Sequence, residues 1–115
     1  MVDRISDSAT FAGFGRGASA TSSGPLTFVR SRNSKVGSSE FAFAIPRKVG
    51  SAVVRNRIRR QIRAVIDQLA TESRLPEGAY LIVVRPDARG SKYSQLMEWT
   101  SSALGRAERS VVNDH

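Results

Sequence analysis

The chain lacks several residue types on which enzymes and exported proteins depend. It has no cysteine, which excludes disulfides, thiolate-bound zinc and a cysteine nucleophile, and its single histidine is the last residue, His115. Because chain ends are commonly disordered, we do not expect that imidazole to be catalytic. No run approaches the roughly 18 consecutive apolar residues of a membrane-spanning helix, and the acid-containing first seven residues do not resemble a secretory signal. We therefore expect a cytoplasmic protein with no membrane partner.

Acidic residues are absent where basic residues are dense. The 115 residues include 18 Lys plus Arg and 10 Asp plus Glu, a net charge of +8, and no acid occurs from Phe41 through Ile66. A solvated helix face usually mixes charges of both signs, whereas uncompensated arginines repel one another and favour a polyanionic partner such as nucleic acid. Arginine suits phosphate because its planar fork donates two parallel hydrogen bonds. The basic side chains of this stretch are Arg47, Lys48, Arg55, Arg57, Arg59, Arg60 and Arg63.

The length and the apolar pattern predict one domain with helices packed on a small sheet. Residues 26–30 and 41–45 are short apolar runs that suggest an antiparallel pair of strands, and residues 18–25 and 31–39 look like loops. The nearly continuous apolar run at 79–85 predicts a strand that is buried on both faces. The order of elements is then helix, strands, helix, strand, helix, which is an α+β or α/β sandwich.

Three helices are expected from the spacing of apolar residues. The longest begins after Ser51, a good N-cap, and carries an apolar stripe with the arginines opposite or beside it. A short helix over residues 8–16 would present Phe11 and Phe14, and a last helix capped by Ser91 would leave Trp99 off its apolar side. The stripe of the long helix consists of Val54, Ile58, Ile62, Val65, Ile66 and Leu69.

The acidic residues do not form a catalytic pattern. Asp67, Glu72, Glu77 and Asp87 have no paired spacing, whereas a self-sufficient nuclease needs convergent carboxylates for metal ions, or histidines for acid and base work. We therefore expect no catalytic residue and no metal ligand in this chain. Any cleavage in which the protein takes part must draw its chemistry from elsewhere.

The stretch from Arg47 to Arg63 resembles the signature of the bacterial ribonuclease P protein family. Two basic residues and a turn at Gly50 precede Ala-Val-x-Arg-Asn-Arg at residues 52–57, and further arginines follow. The likeness covers roughly residues 8–105, and by this resemblance we expect residues 1–115 to form a single RNA-binding domain. It implies an α+β two-layer sandwich with the order αβββαβα, a small mixed sheet, and a left-handed βαβ crossover, contrary to the usual right-handed preference.

The resemblance also implies a function and a set of contacts. Such a protein is a subunit of ribonuclease P: with ribonuclease P RNA as catalyst, it helps to remove the 5′ leader of precursor tRNA, and Mg²⁺ is held mainly by the RNA and the substrate. By this likeness the catalytic RNA would face Arg47, Lys48, Arg55, Asn56, Arg57, Arg59, Arg60 and Arg63. The candidates for a leader-binding cleft are Phe11, Phe14, Phe28, Phe43 and Lys48.

Two other classes fit the basic helix. One is an RNA-binding module without a link to tRNA maturation, such as a ribosome-associated protein or an RNA chaperone. The other is a DNA-binding protein with a recognition helix, which we do not expect because no second, tightly turned helix precedes the basic one. Reconstitution with a ribonuclease P RNA separates the three interpretations.

Overall fold

Five strands form one mixed sheet in a computed structural model, which describes residues 2–5, 8–15, 17–34, 37 and 39–113. Their order across the sheet is β1-β4-β5-β3-β2. The central strand β5 is parallel to β4 and antiparallel to β3, and β1 is parallel to β4. The strands are β1 (Val2–Arg4), β2 (Ser19–Ser23), β3 (Leu26–Arg30), β4 (Ser39–Ala44) and β5 (Gly78–Val84).

Within the described ranges, three α-helices accompany the sheet: α1 (Ser8–Ala12), α2 (Ala52–Thr71) and α3 (Tyr93–Asn113). The Ser51 hydroxyl accepts a hydrogen bond from the Val54 amide at 3.3 Å, which confirms the predicted N-cap of α2. The prediction that Ser91 caps α3 is wrong. That helix begins at Tyr93, and the Lys92 amide donates to the Gln95 side chain at 2.9 Å, as one half of a capping box.

The order αβββαβα is confirmed, with β1 as an additional strand before α1. A parallel pair, β4 and β5, flanks α2 in the sequence, so the predicted βαβ unit is present. Its left-handed sense stays a prediction. No helix among the described residues is both long and apolar enough to cross a membrane.

Three predictions about the strands are wrong. Residues 18–25 are not a loop, because β2 pairs with β3 along its whole length. Strands β3 and β4 run antiparallel but are not neighbours, since β5 lies between them. Strand β5 is fully buried on one face only: Tyr80, Ile82 and Val84 are buried there, whereas on the other face Ala79 is buried but Leu81 and Val83 are half-buried.

The core lies between one face of the sheet and the two long helices. It combines the buried alternate residues of β3 and β5 with the buried stripe of α2 and with α3 residues that include Leu96 and Leu104. Both long helices of the described chain pack on the face of Tyr80, Ile82 and Val84, and this explains why Leu81 and Val83, on the opposite face, are less buried. The protein is therefore a two-layer α+β sandwich with one open sheet face. The buried stripe of α2 is Ile58, Ile62, Val65, Ile66 and Leu69, and the strand residues are Leu26, Phe28, Tyr80, Ile82 and Val84.

Candidate nucleic-acid interface

Five arginines lie opposite or beside the buried stripe of α2, and we call this surface the arginine face. Because the buried stripe of the same helix packs in the core, this face is fixed relative to the sheet. The salt bridge found in the described part of the chain joins Arg74 to Glu72, just after the C-terminus of α2, with 2.9 Å between nitrogen and oxygen. Among the described residues, no arginine of this face forms a salt bridge, and the first acid of α2 is Asp67, one turn after Arg63. The arginine face consists of Arg55, Arg57, Arg59, Arg60 and Arg63.

The five arginines differ in their surroundings. Arg57, Arg60 and Arg63 are exposed, whereas Arg55 and Arg59 are partly buried. The Arg59 guanidinium donates to the Asn56 side-chain oxygen at 2.7 Å, so Asn56 orients it. The Nε of Arg55 is buried and has no hydrogen-bond partner in the described structure. Such an unsatisfied donor is costly to bury.

A groove of about 530 Å³ lies beside the arginine face, where α1 and the β1 end of the sheet approach α2. Arg59 and Arg63 form one wall, and Phe11 and Phe43 supply aromatic surface. Phe11 is 45% exposed although it is a large apolar side chain. The groove therefore joins positive charge to accessible aromatic rings, the combination that binds single-stranded nucleic acid. Its remaining lining residues are Arg4, Ile5, Phe41, Ala42 and Ile66.

Helix α1 is held in place by the turn that follows β3. The Ser31 hydroxyl donates to the Thr10 carbonyl at 2.7 Å, and the Asn33 side-chain amide donates to the Ala9 carbonyl at 2.6 Å. The Arg32 amide donates to the Gly13 carbonyl at 3.0 Å. A five-residue helix is too short to be stable by itself, so these bonds determine where Phe11 lies.

The structure separates the predicted leader-binding residues. Phe11 and Phe43 line the groove. Phe28 was wrongly expected there: it is 1% exposed and lies in the core, because it belongs to β3 under the long helices. Phe14 contacts Phe11 edge to face, with 5.9 Å between ring centroids, but does not line the groove. Lys48 is exposed in the short 3-10 turn Arg47–Val49, also outside the groove.

Sequence reasoning missed three residues near these sites. Arg4 and Ile5 line the groove because β1 extends the sheet beside β4. Arg89 holds the turn before α2: its Nε donates to the Val49 carbonyl at 2.8 Å, and a terminal nitrogen donates to the Lys48 carbonyl at 3.4 Å. A three-residue strand and an isolated arginine give no distinctive signal in the sequence. Both roles arise from the tertiary arrangement.

Carboxylates and histidines do not cluster in the described part of the chain. The described residues include no group of three or more His, Asp or Glu side chains that could hold an ion, and Mg²⁺ prefers several carboxylate or phosphate oxygens. The side chains of Arg74 and Gln68 donate hydrogen bonds to the Glu72 carboxylate and lower the pKa of Glu72, at the distal end of α2. That carboxylate belongs to a surface ion pair and not to the groove.

Comparison with known proteins identifies the family. The profile of the Ribonuclease P family matches residues 2–108. A ribonuclease P protein component from Thermus scotoductus is 36% identical over 63 residues, which are 55% of this chain and 36% of that protein. One from Carboxydothermus hydrogenoformans is 32% identical over 73 residues, 64% of this chain and 62% of that protein. The matches span between about a third and two thirds of the length of these relatives.

Solved structures agree with the fold. The RNase P protein of Staphylococcus aureus superposes with a TM-score of 0.76 at 20% identity, over 91% of this chain and 94% of that one. The RNase P protein of Thermotoga maritima superposes with a TM-score of 0.72 at 15% identity, over 90% and 96%. At these identities the likeness establishes the architecture. Together with the family profile, which covers nearly the whole chain, and with the arginine face on α2, it shows that this chain belongs to the ribonuclease P protein family.

Proposed function

We propose that this chain is the protein subunit of ribonuclease P and that it assists a catalytic RNA, in the cytoplasm, in removing the 5′ leader of precursor tRNA. The observation that carries the proposal is the juxtaposition of an arginine face that forms no salt bridge among the described residues and a groove lined by aromatic rings. One surface suits a folded RNA and the other suits a single strand. A protein that presents both can hold a ribozyme and the unpaired end of its substrate together.

The arginine face would bind the ribonuclease P RNA. The arginines of this face form no salt bridge among the described residues, so RNA phosphates can pair with them, and each neutralised phosphate releases counterions. Arg57 and Arg60 are exposed, and at least three further turns of α2 follow each of them. Because this helix is packed in the core, their backbone needs no rearrangement on binding. Val53, which is 77% exposed on the same helix, offers an apolar contact for a ribose or a base.

The groove would bind the leader of precursor tRNA. Unpaired bases stack on aromatic side chains, and stacking of this kind contributes about 1–3 kcal/mol per base. Phe11 is the accessible ring, Phe43 is partly buried beside it, and Arg59 and Arg63 stand where a strand's phosphates would pass. Arg59 thus borders both surfaces, which places the leader next to the RNA partner.

The bond cleavage belongs to the RNA partner in this proposal. Phosphodiester hydrolysis by metal ions needs ligands that fix those ions, and the described residues offer no such group. We infer that Mg²⁺ is bound by the RNA and by the substrate phosphates. The protein contributes charge neutralisation and positioning of the leader.

Reconstitution tests the proposal. A bacterial ribonuclease P RNA is incubated at low Mg²⁺ with precursor tRNA, with and without the purified chain, and the 5′-matured tRNA is quantified. We expect the chain to accelerate cleavage by the RNA and to leave precursor tRNA intact when the RNA is omitted. An unchanged rate would favour a general RNA-binding or DNA-binding protein, and cleavage without the RNA would contradict the assignment of the chemistry.

A matched pair of variants tests the groove. Phe11→Ala removes an exposed ring from the groove, and Tyr93→Ala removes a ring of similar exposure, 38%, from the start of α3. Precursor tRNA should bind the Phe11 variant holoenzyme more weakly, while mature tRNA, which has no leader, should bind equally well. If the Tyr93 variant loses as much discrimination between the two RNAs, the groove is not the leader site.

A further inference from the structure

A second cavity lies on the far side of the arginine face from the groove, between the first turns of α2 and residues 88–91. We call it the loop pocket; its volume is about 220 Å³. Val54, Ile58 and Ala88 give it an apolar floor, and Arg57 and Arg89 stand on opposite rims, one on the helix and one on the loop. No carboxylate is among its lining residues. The pocket is therefore positively charged and apolar at its base.

Arg89 is already fixed in its position at the rim. Two of its nitrogens donate to the carbonyls of Val49 and Lys48, at 2.8 and 3.4 Å. A guanidinium has five N–H donors, so three remain for a ligand. Because the two carbonyl bonds hold the side chain before any ligand arrives, little side-chain entropy is lost on binding. Arg57, opposite, is exposed and forms no hydrogen bond or ion pair among the described residues.

We propose that the loop pocket binds one nucleotide unit of the RNA partner, with the phosphate between Arg57 and Arg89 and the ribose over the apolar floor. The volume corresponds to about seven waters at roughly 30 Å³ each, which is room for a phosphate and a sugar and is below the roughly 300–1,000 Å³ of sites for drug-sized ligands. Gln61 and Ser91 complete the rim, and their amide and hydroxyl groups can pair with phosphate oxygens or with the 2′-hydroxyl.

This inference rests on the proposed function and extends it. It assigns the RNA partner a second attachment, made by the loop after β5 and not by the helix alone. Because Arg89 also holds the carbonyls of Lys48 and Val49, a nucleotide in the loop pocket would stabilise the turn that begins α2. The loop pocket would then bind the RNA partner on one side of the arginine face, and the groove would bind the leader of precursor tRNA on the other side.

A matched pair of charge substitutions tests the pocket. Ser91→Asp places a carboxylate on the pocket rim, and Ser102→Asp places the same charge on an exposed position of α3. Losing hydrogen bonds to a charged group costs about 1.5–3 kcal/mol, so we expect the Ser91 variant to bind ribonuclease P RNA roughly 10- to 150-fold more weakly. The Ser102 variant should bind like the unmodified chain. Equal binding by all three proteins overturns the inference.

A second measurement locates the nucleotide directly. Since the chain has no cysteine, Ser91→Cys and Ser102→Cys can each carry a single photo-cross-linker. We expect the label at Ser91 to cross-link to ribonuclease P RNA, also in the presence of excess inorganic phosphate, and the label at Ser102 not to do so. If inorganic phosphate abolishes the cross-link while RNA stays bound, the pocket is a free-anion site and the nucleotide assignment is wrong.

The failure of this inference is distinguishable from failure of the proposed function. If the unmodified chain stimulates cleavage by ribonuclease P RNA and Ser91→Asp stimulates it equally at limiting protein concentration, only the loop pocket is refuted. If the unmodified chain neither binds nor stimulates the RNA, both fail. Circular dichroism checks that the Ser91 and Ser102 variants have equal helix content. If Ser91→Asp does not fold, Gln61→Glu is the alternative variant that places a carboxylate in the pocket.

Discussion

Gly13→Ala should detach α1 from the turn that follows β3 and thereby displace one wall of the groove. A Cβ at this position would lie 2.2 Å from the Ser31 hydroxyl and 2.7 and 2.9 Å from the backbone nitrogens of Asn33 and Arg32. Two of these three atoms are backbone, so they cannot rotate away. The helix must shift, and the three hydrogen bonds that join it to residues 31–33 are then strained or lost.

The magnitude follows from those bonds. At roughly 0.5–1.5 kcal/mol net for each hydrogen bond, complete loss lowers the free energy of unfolding by about 1.5–4.5 kcal/mol. Because Phe11 belongs to the displaced helix, one stacking platform of about 1–3 kcal/mol leaves the groove. The preference for precursor tRNA over mature tRNA should therefore fall by roughly 5- to 150-fold. Binding of ribonuclease P RNA through α2 should change little.

Gly15→Ala is the matched control for this substitution. Its added Cβ would lie 3.7 Å from the Ala12 carbonyl, an ordinary contact. Chemical denaturation gives the stability of each variant, and equilibrium binding of the holoenzymes to precursor and mature tRNA gives the discrimination. If Gly13→Ala keeps both the stability and the leader preference of the Gly15 variant, the account of how α1 is docked is wrong.

Three further outcomes follow from the same structure. Replacing Arg57 and Arg60 by Ala should reduce the slope of log affinity against log salt by about 0.7–0.9 for each lost phosphate contact. The control Arg74→Ala, which removes the partner of Glu72, should leave that slope unchanged. A salt titration of RNA binding measures both slopes. Phe28→Ala should lower the free energy of unfolding by about 3–5 kcal/mol, because the ring is 1% exposed in the core, and denaturant titration checks this. The purified chain alone, with Mg²⁺, should leave precursor tRNA uncut in a gel assay.

Helix α2 could be predicted in detail because its signals are local. The helical period of its apolar residues, the cap at Ser51 and the uninterrupted positive charge all lie within about twenty consecutive residues. The structure has the cap where the sequence places it, and it buries the predicted stripe except for Val54, which is half-buried. The arrangement of the strands is a different matter. Nothing local indicates that β5 pairs between β3 and β4, since strand neighbours depend on contacts between distant segments.

Strand β2 shows why a polar sequence can still form a strand. Its residues are mostly small and polar, but it is an edge strand that pairs with β3 through a tight turn. Gly24 begins that turn with a φ of 56°, which glycine adopts readily. A Cβ on Gly24 would lie 2.5 Å from the Trp99 ring, so Trp99 of α3 packs directly on the turn. Strand propensity, which depends on the local sequence, cannot indicate such tertiary contacts.

The two phenylalanines predicted for the leader cleft show the same limit for the site. Phe28 and Phe43 both pair with Ile82 of β5, so they lie on the same face of the sheet. Phe28 belongs to β3 and is buried in the core, whereas Phe43 belongs to β4, nearer the β1 edge, and is only partly buried. The sequence indicates that both are aromatic strand residues. Only the position of each strand beneath the helices decides which ring a ligand can reach.

Ultraviolet cross-linking of the complex with ribonuclease P RNA, followed by mass spectrometry of the cross-linked peptides, identifies which surface of the protein contacts this RNA. The peptides cross-linked to ribonuclease P RNA should come from α2 between Val53 and Arg63. Cross-links that instead map to the open sheet face, at Val29 and Leu81, with none on α2, would contradict the claim that the arginine face binds the RNA.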